Sequence, residues 1–277
     1  MSKKKRNILI LDIIFTLFTT ILFGIPFLFV ILNACKNKTE ASWMLLTLPS
    51  EFALWANLKE VFSFNDGIVA RGFLNSIFLT IVSLVIILPI VAAAGFFIQR
   101  RSDNIAKIAN SFLLFGLIAP MALVPTIKLM KSINLMNTLL GLILIEVALA
   151  IPLATILFRA YIVNIPTEID DAAVVDGCSP LRLFLQIILP LLKPIIATVS
   201  IVFSASIYND FVNPIYFLSG IKSATVQVSI YYFRGKLMTD WNLVFTDVLV
   251  ITIPPLLAFI FLNKQIISGM TIGSVKG

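Results

Sequence analysis

The sequence predicts an all-α integral membrane protein, and three observations carry that prediction. Of its 277 residues, 59% are hydrophobic and only 13% charged, with a mean hydropathy of +1.03, whereas about a quarter of the residues in a soluble globular domain carry charge. Nearly charge-free runs of about 20 residues recur along the chain, the length that crosses a hydrocarbon core as a helix. A polar stretch, residues 165–194, divides the later runs. The expected architecture is six transmembrane helices with a short cytoplasmic helical hairpin between the fourth and fifth.

The elements follow in chain order. "MSKKKR" precedes the first run, residues 13–32, and its basic cluster places the N-terminus inside. Leu32, Asn33, Ala34 and Cys35 loosely match a lipoprotein cleavage box. The run before them is longer than the apolar region of a signal peptide, so it is expected to stay as a span. Residues 33–72 form a polar external segment, with Trp43 and Trp55 as interface anchors. That segment is too short for a core of its own, so the chain divides into 1–72 and a transmembrane core, 73–277.

The second span, 73–98, contains Pro89 and Gly95 and is closed by Arg100 and Arg101, which mark a return to the cytoplasm. The third, 108–127, carries Pro120 and Pro125 in its second half, and Lys128 and Lys131 then fall outside. The fourth, 139–158, carries Glu146 and ends at Arg159. The fifth, 194–217, turns polar in its outer half at Asn209, Asp210 and Asn213. An external segment with Lys222, Arg234 and Lys236 leads to the sixth, 243–262, which carries Asp247. Both termini come out cytoplasmic, although the excess of Lys and Arg on the inner loops is shallow.

The polar stretch punctuates itself as helix, elbow, helix. Thr167 suits an N-cap, Asp170 stands three residues on in capping-box position, and Glu168 and Asp171 add negative charge where the helix dipole favours it. Ile169, Ala172 and Ala173 share a face at i, i+3 and i+4, a small surface suited to close approach by a partner. Gly177 after Asp176 predicts a left-handed stop, and Ser179 followed by Pro180 predicts a restart.

Several function classes are excluded. The chain has no histidine, hence neither the commonest general base nor the commonest zinc ligand. Its two cysteines, Cys35 and Cys178, fall on opposite sides of the membrane, so neither a disulfide nor a metal site is expected. No phosphate-binding glycine loop or G-x-S-x-G elbow occurs; no cofactor is expected, and ATP binding would have to come from another chain. The net charge of +7 suits loops beside anionic lipid rather than nucleic acid, because no basic stretch alternates with aromatics outside the spans.

Ionisable groups within spans are costly, at least ~2.5 kcal/mol on insertion scales, so Glu146, Asp210 and Asp247 should face other helices or water. Asp210, between Asn209 and Asn213, is the best candidate for the wall of a polar pathway, with Glu146 second. The prolines at 89, 120, 125, 152, 254 and 255 would bend helices about such a pathway.

The strings "EIDDAAVVDG" and "LFLQIILPLLKP" within the polar stretch resemble the EAA loop of permease subunits of ABC importers, with Asp171 in place of the first glutamate. Asp176 and Gly177 resemble the sugar-importing branch. Further strings, "INLMNTLLGLIL", "YNDFVNPIYFL", "TDWNLVF" and the tail "SGMTIGSVKG", are similar to landmarks of the second, six-span permease of maltose-type carbohydrate transporters. Glu146 and Asp247 depart from that pattern.

The resemblance implies that the 165–190 loop is a coupling helix seated in a groove of a separate ATPase subunit, engaging it through Glu168, Asp171, Ala172, Ala173, Asp176, Gly177, Leu189 and Pro190. It also implies a tail, Lys276 and Gly277, reaching toward the ATPase. Implied partners are a homologous permease in a heterodimer, two ABC ATPase subunits and an extracellular solute-binding protein, in a bacterial inner membrane. The implied activity is ATP-driven carbohydrate import, in which this subunit supplies half the translocation pathway and is itself no enzyme. Rival expectations are an ABC permease for a non-sugar solute and a secondary transporter using Glu146 or Asp210, which would show an internal repeat.

Overall fold

The computed structural model describes the backbone of residues 3–233 and 239–272 and the side chains of residues 11–233 and 239–260. Arg234, Lys236, Lys276 and Gly277 lie outside the described residues. Helices make up the regular structure: α1 Lys3–Ala34, α2 Lys38–Ser42, α3 Leu54–Ser63, α4 Ile68–Arg100, α5 Asn104–Ile118, α6 Leu123–Ser132 and α7 Leu139–Ile162. They continue with α8 Glu168–Val175, α9 Pro180–Leu191, α10 Lys193–Tyr208, α11 Val212–Phe217, α12 Val226–Tyr232 and α13 Trp241–Ile272. The chain groups into two compact units, Met1–Arg71 with Val228–Ile253, and Gly72–Gln227 with Pro254–Gly277.

Four helices, α1, α4, α7 and α13, are long and apolar enough to cross a bilayer unbroken. The other two expected spans are bent. The third breaks between α5 and α6, which meet at 112°, because Ala119 leaves helical backbone (ψ 122°) ahead of Pro120, whose ring disfavours the helical conformation at the preceding residue. The fifth is shorter than expected: α10 ends at Tyr208, and Asn209, Asp210 and Phe211 separate it from α11. On its other side α10 bends by 71° from α9 across Leu192, between Pro190 and Pro194.

In the first unit, the apolar side chains of α1 between Leu11 and Leu28 lie exposed. The segment after it, expected to lack a core, is held by polar groups. Asn57 donates to the carbonyls of Ala34 (2.8 Å) and Lys36 (2.9 Å), and Asn242 donates to Asn57 Oδ1 at 2.8 Å. The Lys36 ammonium, 1% exposed, donates to the Leu45 carbonyl at 2.6 Å. Such satisfied buried donors substitute for apolar packing where little is available.

In the second unit α7 is the central helix. It contributes Leu142, Ile145, Ala150, Ala154 and Phe158 to a core shared with Ile87 and Val91 of α4, Ile188 of α9, and Val199 and Phe203 of α10. Small residues permit the close approaches, as is usual between membrane helices. A Cβ at Gly95 would stand 2.9 Å from that of Phe158, and one at Gly116 would stand 3.1 Å from the Pro152 ring.

The turn into α7 explains the composition of "INLMNTLLGL". Asn134 and Asn137 take left-handed backbone (φ 58° and 63°), which asparagine tolerates better than most residues. The amides of Leu135 and Met136 both return to the Met130 carbonyl, and the Asn137 amide reaches the Phe217 carbonyl at 3.0 Å. Thr138 caps α7 by accepting from the Gly141 amide at 3.0 Å. A Cβ on Gly141 would lie 2.1 Å from the Leu135 carbonyl oxygen.

Two substitutions therefore rank in a defined order. Thr138→Ala is expected to destabilise the purified protein by about 1 kcal/mol through loss of the cap. Gly141→Ala should cost more, roughly 1–3 kcal/mol, because backbone rather than a flexible side chain must move. Thermal unfolding in detergent measures both, and a Gly141→Ala variant as stable as the wild type would refute the close contact.

Candidate functional site

The polar stretch folds as α8, an elbow and α9. Three carboxylates, Glu168, Asp170 and Asp171, stand in the first turn of α8, where the helix dipole favours them. The expected capping box is absent. Thr167 has φ −70° and ψ −21°, helical rather than extended, and its side chain makes no cap bond. Asp170 turns instead to Arg100, the last residue of α4, with 2.7 Å between carboxylate Oδ2 and guanidinium Nε. A full charge from a neighbouring helix outcompetes a local amide.

The two alanines part company. Ala173 is 5% exposed and packs inward with Ile169, whereas Ala172 faces outward. The outward apolar surface is built by Val174 and Val175, exposed by 64% and 86%. Sequence reasoning overlooked these valines, although their signal was a "VV" pair immediately before the acid-glycine stop. Glu168, Asp171, Asp176 and Gly177 flank them and are exposed; Leu189 is half-buried and Pro190 exposed.

The elbow forms as its residues dictate. Gly177 has φ +73°, its amide reaches the Val174 carbonyl at 3.0 Å, and the Cys178 amide reaches the Ala173 carbonyl at 2.9 Å. This is the paired terminator known as the Schellman motif. Ser179 accepts from the Arg182 amide and Pro180 opens α9. Within α9, residues Leu183–Ile188 adopt the wider π-helical turn just before Pro190, which has no amide to donate to the preceding turn.

A second candidate region lies between α7 and the end of α10. Glu146, Ser206, Asn209, Asp210 and Asn213 line a cavity of about 370 Å³ whose remaining wall is apolar. Asn213 donates to Glu146 Oε1 at 3.2 Å, and the Asp210 carboxyl lies beside that of Glu146. Asp210 Oδ1 also accepts the Val212 amide at 3.0 Å, which fixes the turn into α11, and Gln227 donates to Asn209 Oδ1 at 3.1 Å. All four sequence-predicted pathway residues are thus brought together. The cavity presents carboxyl, amide and hydroxyl groups, a set able to accept from and donate to a hydroxyl-rich solute. Asp247 sits elsewhere, 0% exposed in the first unit, accepting from Ser229 Oγ at 2.7 Å. Among the described residues no cluster of metal-ligating side chains occurs.

Comparison with known proteins decides the family. Residues 67–271 match the model of the binding-protein-dependent transport system inner membrane component. The chain belongs to this family. It is therefore a multi-pass transport component of a membrane. A probable ABC transporter permease protein, YurM of Bacillus subtilis, is 32% identical over 257 residues, covering 91% of this chain and 83% of that one. The melibiose/raffinose/stachyose import permease protein MelC of the same organism is 29% identical over 258 residues, 91% of each chain. A crystal structure of a bacterial ABC transporter that imports the acidic polysaccharide alginate contains a chain of the same fold, with TM-score 0.79, 17% identity, and coverage of 95% and 98% of the two chains.

In this inner membrane component both cysteines are free thiols. Burial leaves Cys35 6% exposed and raises its thiol pKa, so its reactive thiolate forms only at more alkaline pH than usual; Cys178, beside the elbow, is half-buried. A small maleimide at neutral pH should label Cys178 first, with Cys35 following only as pH rises. Equal labelling at neutral pH, read by mass spectrometry, would contradict the burial of Cys35.

Proposed function

We propose that this chain is the permease subunit of an ATP-driven ABC importer for a carbohydrate, supplying half the translocation pathway and coupled to a separate ATPase through residues 165–190. The observation that carries this reading is the exposed surface of α8. A short helix with Val174 and Val175 outward, ringed by Asp171 and Asp176 and closed by a left-handed glycine, has no partner for that apolar face among the described residues. Two adjacent exposed valines on a short helix suit a groove on another protein. MelC, by its name, imports oligosaccharides, and the cavity at Glu146, Asp210 and Asn213 offers the mixed donors and acceptors that a sugar requires.

On this reading Glu168, Asp171, Ala172, Asp176 and Gly177 meet the ATPase. Ala173, Leu189 and Pro190 hold the shape of the loop from behind, and the tail at Lys276 and Gly277 reaches the same partner. A homologous permease completes the pathway, an external solute-binding protein delivers the sugar, and two ATPase subunits lie on the cytoplasmic side with both termini of this chain. Six crossings result if each bent pair counts as one. Closure of the ATPase pair displaces α8, and the membrane helices respond by exchanging inward-facing for outward-facing arrangements. The bent pairs are suited to this, because each already divides into two helical halves, at 119–122 and at Leu192.

The test is reconstitution of the full assembly with a panel of labelled sugars and measurement of ATP-dependent uptake. Uptake of none of the sugars, with uptake of another solute class, would overturn the carbohydrate assignment; uptake without any nucleotide-hydrolysing partner would overturn the coupling. Gly177→Trp should insert normally yet lower uptake and stimulated ATP hydrolysis by ~10-fold or more, within the range of coupling energies between sites. Space is not the obstacle, since a Cβ there meets nothing within 4 Å; the left-handed backbone is. Asp210→Ala should reduce uptake while the ATPase still co-purifies, whereas release of the ATPase would assign Asp210 to structure.

A further inference from the structure

α8 and α9 are joined by chain to α7 on one side and α10 on the other. Covalent continuity alone would direct any displacement of the loop into those two helices. The structure adds a third attachment. Arg100, the C-terminal residue of the 33-residue α4, places its guanidinium under the start of α8. Its Nε stands 2.7 Å from Asp170 Oδ2, and its Nη2 donates to the Ile165 carbonyl at 2.9 Å and to that of Pro166 at 3.5 Å. Both charged side chains are largely withdrawn from solvent, 14% exposed for Arg100 and 15% for Asp170.

The grip is two-sided. Phe96, one helical turn before Arg100 on the same face of α4, packs its ring against Phe184 of α9, with centroids 5.6 Å apart. The last turn of α4 therefore holds α8 through a charge and α9 through a ring, one on each side of the elbow. Arg159 at the end of α7 donates to Gln99 of α4 at 3.3 Å and to Asn110 of α5, so the same end of α4 is also braced laterally. Among the described residues, Arg100 is the one cation that forms an ion pair with a carboxylate of α8.

We infer that Arg100 is a positioning residue that fastens the start of α8 to the end of α4, so that movement of the loop is delivered to α4 as well as to α7 and α10. The inference rests on the coupling role proposed above. Its physical basis is that one guanidinium combines two kinds of contact: its Nε pairs by charge with the Asp170 carboxylate while its Nη2 donates to the carbonyls of Ile165 and Pro166. A lysine in its place would keep the charge but, as a single point donor on a flexible stem, could not hold all three acceptors. Without the link, α8 is tied to α4 only indirectly, through the core contacts of Ile169 and Ala173 and the Phe96–Phe184 ring contact.

The test uses the complete reconstituted assembly and reads two rates together, solute uptake and ATP hydrolysis, because a merely structural defect lowers both while loss of the link changes their ratio. Asp170→Asn keeps size and shape and removes the charge. It should leave the ATPase subunits co-purifying and hydrolysing, and lower uptake per ATP by roughly tenfold, within the ~5- to 150-fold span of coupling between sites. Arg100→Lys should show a smaller loss of the same kind. The exchanged pair, Arg100→Asp with Asp170→Arg, should recover part of the ratio lost in either single charge reversal. An unchanged ratio in Asp170→Asn, or an exchanged pair no better than the singles, would overturn the inference. If Arg100→Asp fails to accumulate in the membrane, Asp170→Asn decides alone. Failure of the wild-type assembly to couple uptake to ATP would instead strike the proposed function, which keeps the two outcomes apart.

Discussion

A backbone in hydrocarbon has to satisfy its own amides and carbonyls, and that constraint orders this molecule. Four helices meet it along most of their length, each giving up a helical hydrogen bond at an internal proline. Where the chain departs from helix, compensating bonds appear. The amides of Leu135 and Met136 fold back on Met130, Asn137 borrows the Phe217 carbonyl, and Leu192 at the second break reaches the carbonyls of both Ile188 and Leu189. At these places local turns, and in one case a carbonyl from another segment, supply the partner. The polar cavity at Glu146 lies beside one of them, where α10 gives way to α11.

The loop between α7 and α10 shows the same economy on a smaller scale. An isolated helix of eight residues is not stable in water, and α8 has only that length. It persists because Ala173 and Ile169 anchor in the core, Gly177 and Cys178 close its carbonyl end, and Arg100 takes a carboxylate and two carbonyls at its start. A helix held at three points, with valines left outward, is stiff enough to serve as a handle. In the proposed role that stiffness matters more than the identity of any one exposed residue, because a loop that yielded would absorb the displacement instead of passing it on.

Much of this was legible from residues alone, and the misses share a cause. Spans were readable because hydrophobic length is a one-dimensional property. The elbow was readable because Gly177, Ser179 and Pro180 act on their own backbone. The capping box was misread because its reading assumed that Asp170 would find its partner three residues away, when the stronger partner, Arg100, lies on another helix. The third and fifth spans were read as continuous because proline announces a break but not its angle, which depends on what packs against each half. The alanine face was divided for a similar reason: periodicity placed Ile169, Ala172 and Ala173 together, while the core took only the first and last.

By itself the sequence determined the helical class, the apolar lengths, the elbow at Gly177, and the polar stretch with its acidic first turn. These are local matters, settled by composition, by the steric freedom of single residues and by the distance a helix rises per residue. Only the tertiary structure decided that Glu146 meets Asn213 and Asp210, that Arg100 holds Asp170, and that Val174 and Val175 rather than Ala173 face outward. Those pairings join residues far apart in the chain, and the energy of a charge or a methyl group depends on which neighbour the fold brings to it.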